Sequence, residues 1–277
     1  MSYQTIEHQV RLVSRDELNE ENILLELYAP EIVRSAQIGQ FVAVESATFL
    51  RRPLGIASIN REAGTFKIGF QIKGEGTLAL AKLEPGAVFS VLGPLGNGYD
   101  LKGKTRALVI GGGTGVYPLL FTLETLKEQG LKTTAAFGFR SEQQVILEDA
   151  FRSASPSVVF ALERPDSDTG NKYVTGNALH AAKAAIDASG LLDDVDLSAV
   201  VILACGPLPM LLAVAAYAKE MGIDCQVSLE ERMACGVGYC RTCSCKAKQG
   251  PNPQDWDYER VCVEGPVFPA ERVFFHD

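Results

Sequence analysis

Five of the seven cysteines fall within one short stretch near the C-terminus, and their spacing suits a metal centre. The stretch begins Cys235-x4-Cys240-x2-Cys243, and Cys262 follows after a further 18 residues. A C-x4-C-x2-C run with a distant fourth cysteine is typical of [2Fe–2S] clusters, in which two irons need four thiolates. We therefore predict that Cys235, Cys240, Cys243 and Cys262 ligate such a cluster.

Two alternatives to the iron–sulfur centre remain, a structural zinc site and a set of buried thiols. Zinc sites usually use two C-x2-C pairs, and only Cys240 and Cys243 form one here. Cys245 is a spare thiol whose spacing suits neither metal. Gly236 and Gly238 favour the cluster, because glycine lets backbone N–H groups approach the sulfurs closely. The odd number of cysteines argues against a disulfide framework.

Two turns in the middle of the chain follow apolar runs and could bind phosphate. They are Gly111-Gly112-Gly113-Thr114-Gly115 and Cys205-Gly206-Pro207. Both lie at the carboxyl ends of predicted parallel strands, the edge at which ligands bind in open α/β sheets. Pro118 stands where a G-x-G-x-x-G fingerprint would need its third glycine, so a tight connection without a ligand is the alternative for the first turn. For Cys205, a buried structural thiol is the alternative.

Two polar motifs near the N-terminus could also meet phosphate. Arg51-Arg52-Pro53 lies beside apolar strand residues, where an arginine fork can bind an anion. A solvated pair of surface charges is the alternative. Gly74-Glu75-Gly76-Thr77 can form a nest of N–H groups with a hydroxyl. Such a nest would open a helix at Leu78. The alternative is an ordinary helix start with Thr77 as N-cap.

Composition excludes several classes of protein. The 277 residues carry 26 Lys and Arg against 34 Asp and Glu, a net charge of -8. Such an acidic chain lacks the positive patch of a nucleic-acid or anionic-membrane binder. An uncharged run at 197–218 is long enough to span a bilayer, but 206–209 reads Gly-Pro-Leu-Pro and would break a helix there. With no secretory leader visible, we expect a cytoplasmic protein.

The hydrophobic pattern divides the chain into three parts. Short β runs separated by turn residues fill the first part and predict a barrel or a sandwich; examples lie at 8–13, 23–27, 41–44 and 66–72. Strands then alternate with helices, which predicts a doubly wound parallel sheet; the strands are 107–110, 133–139, 158–162 and 199–204, and the helices 118–129, 177–189 and 207–221. The Cys-, Gly- and Pro-rich remainder predicts a small cluster lobe. The expected domains are 1–102, 103–224 and 225–277.

These motifs, taken in order, resemble the ferredoxin-reductase superfamily and, more narrowly, the electron-transfer subunits of class 1B dihydroorotate dehydrogenase. The resemblance covers nearly the whole chain. Its most specific parts are SLEERMACG at 228–236, the cysteine spacing and VCVEGPVF at 261–268.

The resemblance implies three cofactors and a partner. The barrel is expected to bind FAD, the α/β domain NAD(H), and the C-terminal lobe [2Fe–2S]. In that family the subunit pairs with an FMN-containing catalytic subunit that oxidises dihydroorotate in pyrimidine biosynthesis. Electrons then pass through the cluster and FAD to NAD+. The family assembles as a heterotetramer of two heterodimers.

The resemblance also assigns residues. The family's Arg-Pro-x-Ser flavin motif matches Arg52-Pro53-Leu54-Gly55, with Arg52 as the FAD phosphate ligand. Gly55 stands where the family has a flavin-contacting Ser, and Ser58 could replace that contact after a local shift. Gly76 and Thr77 match the second flavin-phosphate motif. The two glycine-containing turns, 111–115 and 205–207, match the nicotinamide-nucleotide turns.

Some features depart from the family or leave a choice open. Thr114 and Tyr117 replace small or apolar residues in the first turn, so nucleotide affinity could differ. Arg140-Ser141 could meet a 2′-phosphate, although the resemblance favours NAD over NADP. The segment 163–168 occupies the place of an acidic loop near the nucleotide. The three histidines are scattered, and no general acid or base is named.

Two other functions remain candidates. One is the electron-transfer subunit of another NAD(P)H-dependent iron–sulfur flavoenzyme, of sulfide dehydrogenase, hydrogenase or ferredoxin:NADP reductase type. The other is a zinc-binding interaction module with a vestigial nucleotide fold, which leaves the barrel motifs unexplained.

Overall fold

Six antiparallel strands close into a barrel in the first part of the chain, in the spatial order β1-β2-β5-β4-β3-β6. The computed structural model describes residues 7–165, 172–250, 252 and 254–275. The barrel strands are β1 (Glu7–Glu17), β2 (Asn22–Tyr28), β3 (Phe41–Val44), β4 (Arg52–Asn60), β5 (Thr65–Gln71) and β6 (Val88–Leu95). Two short helices cover the barrel, α1 (Pro30–Ser35) and α2 (Glu75–Ala81). Of the two architectures that the short β runs allow, the structure contains the barrel, which is also the one that the resemblance implies.

A seven-stranded sheet forms the second part of the molecule, in the order β10-β9-β8-β7-β11-β12-β15. All neighbouring strands are parallel except β15, which runs antiparallel to β12. The strands are β7 (Arg106–Gly112), β8 (Lys132–Phe139), β9 (Ser157–Leu162), β10 (Val174–Thr175), β11 (Val200–Cys205), β12 (Asp224–Ser228) and β15 (Val267–Pro269). The helices are α3 (Val116–Glu128), α4 (Glu148–Ala154), α5 (Ala178–Ser189) and α6 (Leu208–Met221).

The central strand β7 is buried on both faces, as its apolar run predicts. Ala107 and Val109 belong to one hydrophobic core, which also contains residues of α3 and α4. Leu108 and Ile110 belong to a second core, which contains residues of α5 and α6. Since side chains alternate along a strand, helices cover both faces of the sheet. The prediction of a doubly wound parallel sheet is confirmed.

The C-terminal lobe is attached to both other parts. Its hairpin consists of β13 (Ser244–Lys248) and β14 (Trp256–Arg260). The lobe also supplies β15 to the edge of the large sheet. On the barrel side, Asn97 Nδ2 donates to the carbonyls of Val263 and Glu264, each at 3.0 Å. The lobe is therefore held at the end of the barrel and at the edge of the sheet.

The uncharged run at 197–218 resolves as predicted into strand β11, a turn and the amphipathic helix α6. Within the described part of the chain, no helix has the length and apolar character needed to cross a membrane. The predicted helix start at Leu78 is wrong. Helix α2 begins at Glu75, with Gly74 as N-cap. Thr77 is the third helical residue, and its Oγ1 accepts a hydrogen bond of 3.2 Å from the Gly74 N–H.

Candidate functional site

A cavity of about 260 Å³ lies where the three parts of the molecule meet. The barrel contributes the predicted flavin-motif residues Pro53, Leu54, Gly55 and Thr77 to its wall. The α/β domain contributes Thr114, Tyr117, Pro118 and Cys205, and the C-terminal segment contributes Glu230, Met233 and Pro266. A ligand in this flavin cavity, as we call it, would touch all three parts at once.

Arg52 lies beside the flavin cavity with part of its hydrogen-bonding capacity unused. Its Nη2 donates to Thr48 Oγ1 at 2.5 Å. Its Nε is buried and is the one buried side-chain N or O atom without a partner in the described part of the chain. Gly76 packs directly against this guanidinium, and a Cβ at that position would overlap Nε. A buried donor without a partner costs free energy, so the cradle formed by Arg52, Gly76 and Thr77 suits a bound anion.

Arg51, by contrast, is satisfied within the protein. Its Nη2 pairs with Glu7 Oε1 at 2.6 Å, and its Nη1 donates to the Ser90 carbonyl at 3.1 Å. Arg51 is therefore a structural residue of the barrel wall.

The space beside Gly55 does not admit the serine of the Arg-Pro-x-Ser motif without a shift. A Cβ at this position would lie 2.9 Å from Pro118 Cβ, closer than carbon atoms approach without a shift. Ser58 does not replace the missing hydroxyl. It donates to Glu124 Oε2 of α3 at 2.7 Å and lines a separate cavity. The expectation that Ser58 takes over the flavin contact is therefore wrong.

A second, larger cavity of about 770 Å³ opens over the carboxyl ends of the parallel strands. Gly112, Gly113, Thr114 and Gly115 line it from the first predicted turn, and Pro207 lines it from the second. Phe139, Arg140, Glu163 and Asn177 complete its far side. This nucleotide cavity lies at the sheet edge where the topology predicts a nucleotide.

The remaining turn residues support the cavity from behind. Gly111 lies within β7, where a Cβ would be 2.7 Å from Leu119 and 2.9 Å from Phe137. Gly115 and Gly206 bring the two turns together, because a Cβ on Gly115 would be 2.5 Å from the Gly206 nitrogen. All three glycines thus allow close packing. Only Gly115 among them also lines the nucleotide cavity.

The two cavities adjoin each other. They share four lining residues, Gln71, Lys73, Thr114 and Glu230. Glu230 lies in the cleft between them, where partial desolvation by the cavity walls raises the pKa of its carboxyl and the charge of Lys73 opposes that rise. Cys205 lies on the flavin-cavity side, and burial raises the pKa of its thiol to about 12. Cys205 is therefore a neutral thiol at neutral pH.

No sequence motif singles out Glu230 or Lys73 as a site residue. Glu230 follows β12, a third parallel strand whose carboxyl end faces the same edge. That position is the signal in the sequence that could have identified it. Lys73 had no comparable signal, because it comes from the barrel.

The four predicted cluster cysteines come together in two pairs. The thiols of Cys235 and Cys240 interact with each other, and those of Cys243 and Cys262 do likewise. Within the described residues, no three His, Cys, Asp or Glu side chains converge on a single ion position. Two thiol pairs suit a two-iron centre, in which each iron takes two cysteines, better than one tetrahedral zinc ion.

Backbone N–H groups of the cluster loop point at the sulfurs, as the glycines predict. The Gly238 N–H donates to Cys262 Sγ at 3.1 Å, and the Cys240 N–H donates to Cys235 Sγ at 3.4 Å. Gly236 and Gly238 have φ values of 69° and 81°, which L side chains rarely adopt. Such donors stabilise thiolates bound to metal.

The thiols of Cys225 and Cys245 and the two described histidines lie outside these sites. Cys245 is half-buried on β13 and Cys225 is half-buried on β12, and burial raises the pKa of each to about 12. His180 is at the start of α5, where its ring contacts the N-cap residue Asn177. His8 lies on β1. His276 and the segment 166–168 lie outside the described residues.

The fold and its cavities define a class, the ferredoxin-reductase-like fold carrying an additional cysteine lobe. A solved NADH-dependent reduced ferredoxin-NADP oxidoreductase matches with a TM-score of 0.79 at 24% identity, covering 99% of this chain and 92% of that chain. A ferredoxin reductase of carbazole 1,9a-dioxygenase matches with a TM-score of 0.64 at 18% identity, over 80% of this chain and 68% of that one.

Sequence comparisons identify the family. Residues 230–274 match the model of the iron–sulfur cluster binding domain of dihydroorotate dehydrogenase B. The electron transfer subunit of dihydroorotate dehydrogenase B (NAD(+)) of Caldanaerobacter subterraneus is 35% identical over 86% of this chain and 87% of the relative. The subunit of the same name from Fusobacterium nucleatum is 36% identical over 85% and 86%. The chain belongs to this family of electron transfer subunits and is an oxidoreductase component.

Proposed function

We propose that this chain passes electrons from dihydroorotate oxidation, through a [2Fe–2S] cluster and FAD, to NAD+. One observation carries the proposal: the flavin cavity lies against both the nucleotide cavity and the cysteine lobe. Met233 and Pro266, close in sequence to Cys235 and Cys262, line one side, and Thr114 and Glu230 are shared with the nucleotide cavity.

The barrel side of the flavin cavity fits FAD. The unpartnered Nε of Arg52 is a donor for a phosphate oxygen, and Gly76 packs against the guanidinium without a side chain of its own. Pro53, Leu54 and Gly55 form the wall along which the ring system would lie. When bound, FAD exchanges a hydride with nicotinamide and single electrons with an iron–sulfur cluster.

The larger cavity fits a nicotinamide nucleotide. Its floor is the turn at 112–115, whose glycines let a phosphate approach the backbone at the start of α3. Pro207 closes the opposite side. We propose NAD rather than NADP as the substrate, in line with the relatives' names, with Arg140 at the rim.

The chain's own residues have positioning tasks in this function. Cys205, held neutral by burial, lines the flavin cavity from the second turn. Glu230 and Lys73 lie where the two cavities join and offer one negative and one positive group there. Cys235, Cys240, Cys243 and Cys262 hold the cluster, and their loop donates N–H groups to the sulfurs.

The chain cannot itself oxidise dihydroorotate under this proposal, so it needs a catalytic partner. We propose an FMN-containing subunit as that partner, with two copies of each chain in a cytoplasmic heterotetramer. We also propose the domain division 1–102, 103–224 and 225–277. The last boundary falls inside β12, which remains part of the sheet.

The proposal is tested by analysing iron, acid-labile sulfide, zinc and flavin in the anaerobically purified chain. We expect two irons, two sulfides and one FAD per chain. The Cys262→Ser variant should lose iron and sulfide, and Cys245→Ser, which alters the half-buried neighbour, should keep both. A colourless chain containing zinc would refute the iron–sulfur assignment and support the zinc-module alternative.

A further inference from the structure

The barrel wall beside the flavin cavity contains a window without side chains. Gly55 on β4 and Gly69 on β5 flank the paired residues Ile56 and Ile68 on neighbouring strands. Both glycines lie against the first turn of α3. A Cβ on Gly69 would overlap the Tyr117 ring, and a Cβ on Gly55 would lie 2.9 Å from Pro118. Tyr117 and Pro118 therefore fit into the barrel wall only because two adjacent strand positions are glycine.

Tyr117 is also hydrogen-bonded across this contact. Its ring is 1% exposed, and its hydroxyl donates to Asn22 Oδ1 at 3.0 Å. The Asn22 amide is oriented by a second bond, because its Nδ2 donates to Asn19 Oδ1 at 2.9 Å. Asn19 Nδ2 in turn donates to the Gln143 carbonyl of the α/β domain at 3.0 Å. A chain of hydrogen bonds thus joins the barrel to the α/β domain at two points.

This chain of bonds runs along the partition between the two cavities. Tyr117 lines the flavin cavity, and its partner Asn22 lines the nucleotide cavity. A change in the position of Tyr117 would therefore alter the relative position of the two cavities. The sequence already marks Tyr117 as a departure from the small or apolar residue expected there.

Resting on the proposed function, we infer that Tyr117 is a positioning residue for NAD(H). Tyr117 packs into the glycine window and donates a hydrogen bond to Asn22. These two contacts fix the position of the nucleotide cavity relative to the flavin cavity. Loss of the hydroxyl leaves the barrel and the α/β domain able to shift, so that only a fraction of molecules present a competent nucleotide site. Apparent affinity falls in proportion to that fraction, while the flavin motif on the barrel is untouched.

The test compares Tyr117→Phe with Tyr173→Phe in the FAD-loaded, cluster-containing protein. Both variants remove one mostly buried tyrosine hydroxyl, but Tyr173 donates to Glu148 inside the α/β domain. Equilibrium titration of the oxidised protein gives the dissociation constant for NAD+. Steady-state rates with an artificial acceptor give KM and kcat for NADH, and the FAD content per chain is measured in parallel. A lost buried hydrogen bond changes an equilibrium about two- to tenfold.

We expect Tyr117→Phe to raise the NAD+ dissociation constant and the KM for NADH within that range, with FAD content unchanged and kcat less affected. Tyr173→Phe should leave all of these unchanged. Unchanged NAD+ binding in Tyr117→Phe, an equal effect of Tyr173→Phe, or parallel loss of FAD would overturn the inference. Asn19→Ala, which removes the bonds to Asn22 and Gln143 and lines neither cavity, makes the same test if Tyr117→Phe does not fold. Wild-type protein that binds neither FAD nor NAD+ would overturn the proposed function itself, and this inference with it.

Discussion

Two adjacent arginines in the barrel have different surroundings. Arg51 is paired with Glu7 and Ser90, whereas the Arg52 Nε is buried without a partner beside Gly76. An anion that reaches the guanidinium of Arg52 satisfies a donor that the protein leaves free. Hydrogen bonds to charged groups contribute about 1.5–3 kcal/mol each, so this one contact is expected to affect flavin affinity strongly.

We therefore predict that Arg52→Gln weakens FAD binding about 10- to 150-fold, the range that corresponds to one charge-assisted hydrogen bond. Arg51→Gln is the matched control. This substitution, at the residue next to Arg52, removes the ion pair between Arg51 and Glu7. It should leave the FAD dissociation constant nearly unchanged. Fluorescence titration of deflavinated protein measures both. Equal weakening by the two substitutions would contradict the assignment of Arg52.

Among single residues, those that belong to a local sequence motif could be predicted as candidate site residues. The cysteines, the glycine-containing turns and Arg52 all belong to such motifs. Glu230, Lys73 and Asn22 do not, because their role depends on distant segments meeting at the cavities. Nothing near Gly55 in the sequence indicated that Pro118, more than sixty residues later, fills the space of the missing serine side chain.

At the scale of elements, the cluster loop depends on a glycine that no other residue replaces easily. Gly238 has a φ of 81°, its N–H donates to Cys262 Sγ, and a Cβ there would lie 2.5 Å from Val263. A non-glycine residue in such a conformation costs of the order of 1–3 kcal/mol before any steric overlap.

Gly238→Ala should therefore lower the iron and sulfide content per chain and speed the loss of visible absorption on warming. Gly250→Ala in the neighbouring hairpin is the control, because its Cβ would have no neighbour closer than 3.5 Å. The comparison uses metal analysis and absorbance-monitored stability of both proteins. Full cluster content in Gly238→Ala would show that the loop tolerates a side chain at this position.

The contact of α3 with β4 contains a half-buried carboxyl. Burial raises the pKa of Glu124 above its ordinary value of 4.5, against the opposing effect of its hydrogen bond with Ser58. A carboxyl group whose pKa is higher in the folded than in the unfolded state contributes most to stability when it is protonated. This contribution is fully present at pH values below the unfolded-state pKa. That stabilisation is lost as pH rises through the folded-state pKa.

Glu124→Gln removes this dependence, so the variant should melt at a higher temperature than wild type at pH 8. The difference should shrink as pH falls and vanish near pH 4.5. Exposed Glu62, on the turn between β4 and β5, supplies the control substitution Glu62→Gln. Melting curves across this pH range, at constant salt, measure the effect. A difference that stays constant with pH would exclude titration of Glu124 as its cause.

Elements with strong periodicity were predicted, and short elements were not. Strands β7, β8, β9 and β11 and the helices α3, α5 and α6 carry clear apolar patterns. The short strands β10 and β12 of the same sheet were not predicted. Helices α1 and α4, of six and seven residues, were missed, because such short helices form only through tertiary packing. Strand β15 has three residues and joins the sheet through contacts with β12 that no local pattern encodes.

For the whole molecule, the arrangement of the sites implies an order of electron transfer. The flavin cavity adjoins the nucleotide cavity through shared residues, and the cysteine lobe lies on its other side. Exchange between NADH and flavin needs only the first contact. Transfer from a partner subunit through the lobe needs the cluster as well. The two activities should therefore separate when the cluster alone is removed.

We predict that the Cys262→Ser variant, where it retains FAD, still oxidises NADH with an artificial acceptor that takes electrons from flavin. Assembled with the proposed catalytic partner, the same variant should fail to reduce NAD+ with dihydroorotate, because the route from the partner to FAD is interrupted. Cys245→Ser should support both reactions. Rates are compared per bound FAD, so that flavin loss is not mistaken for a broken route. Dihydroorotate-driven NAD+ reduction at the wild-type rate without a cluster would mean that electrons reach the flavin cavity by another path.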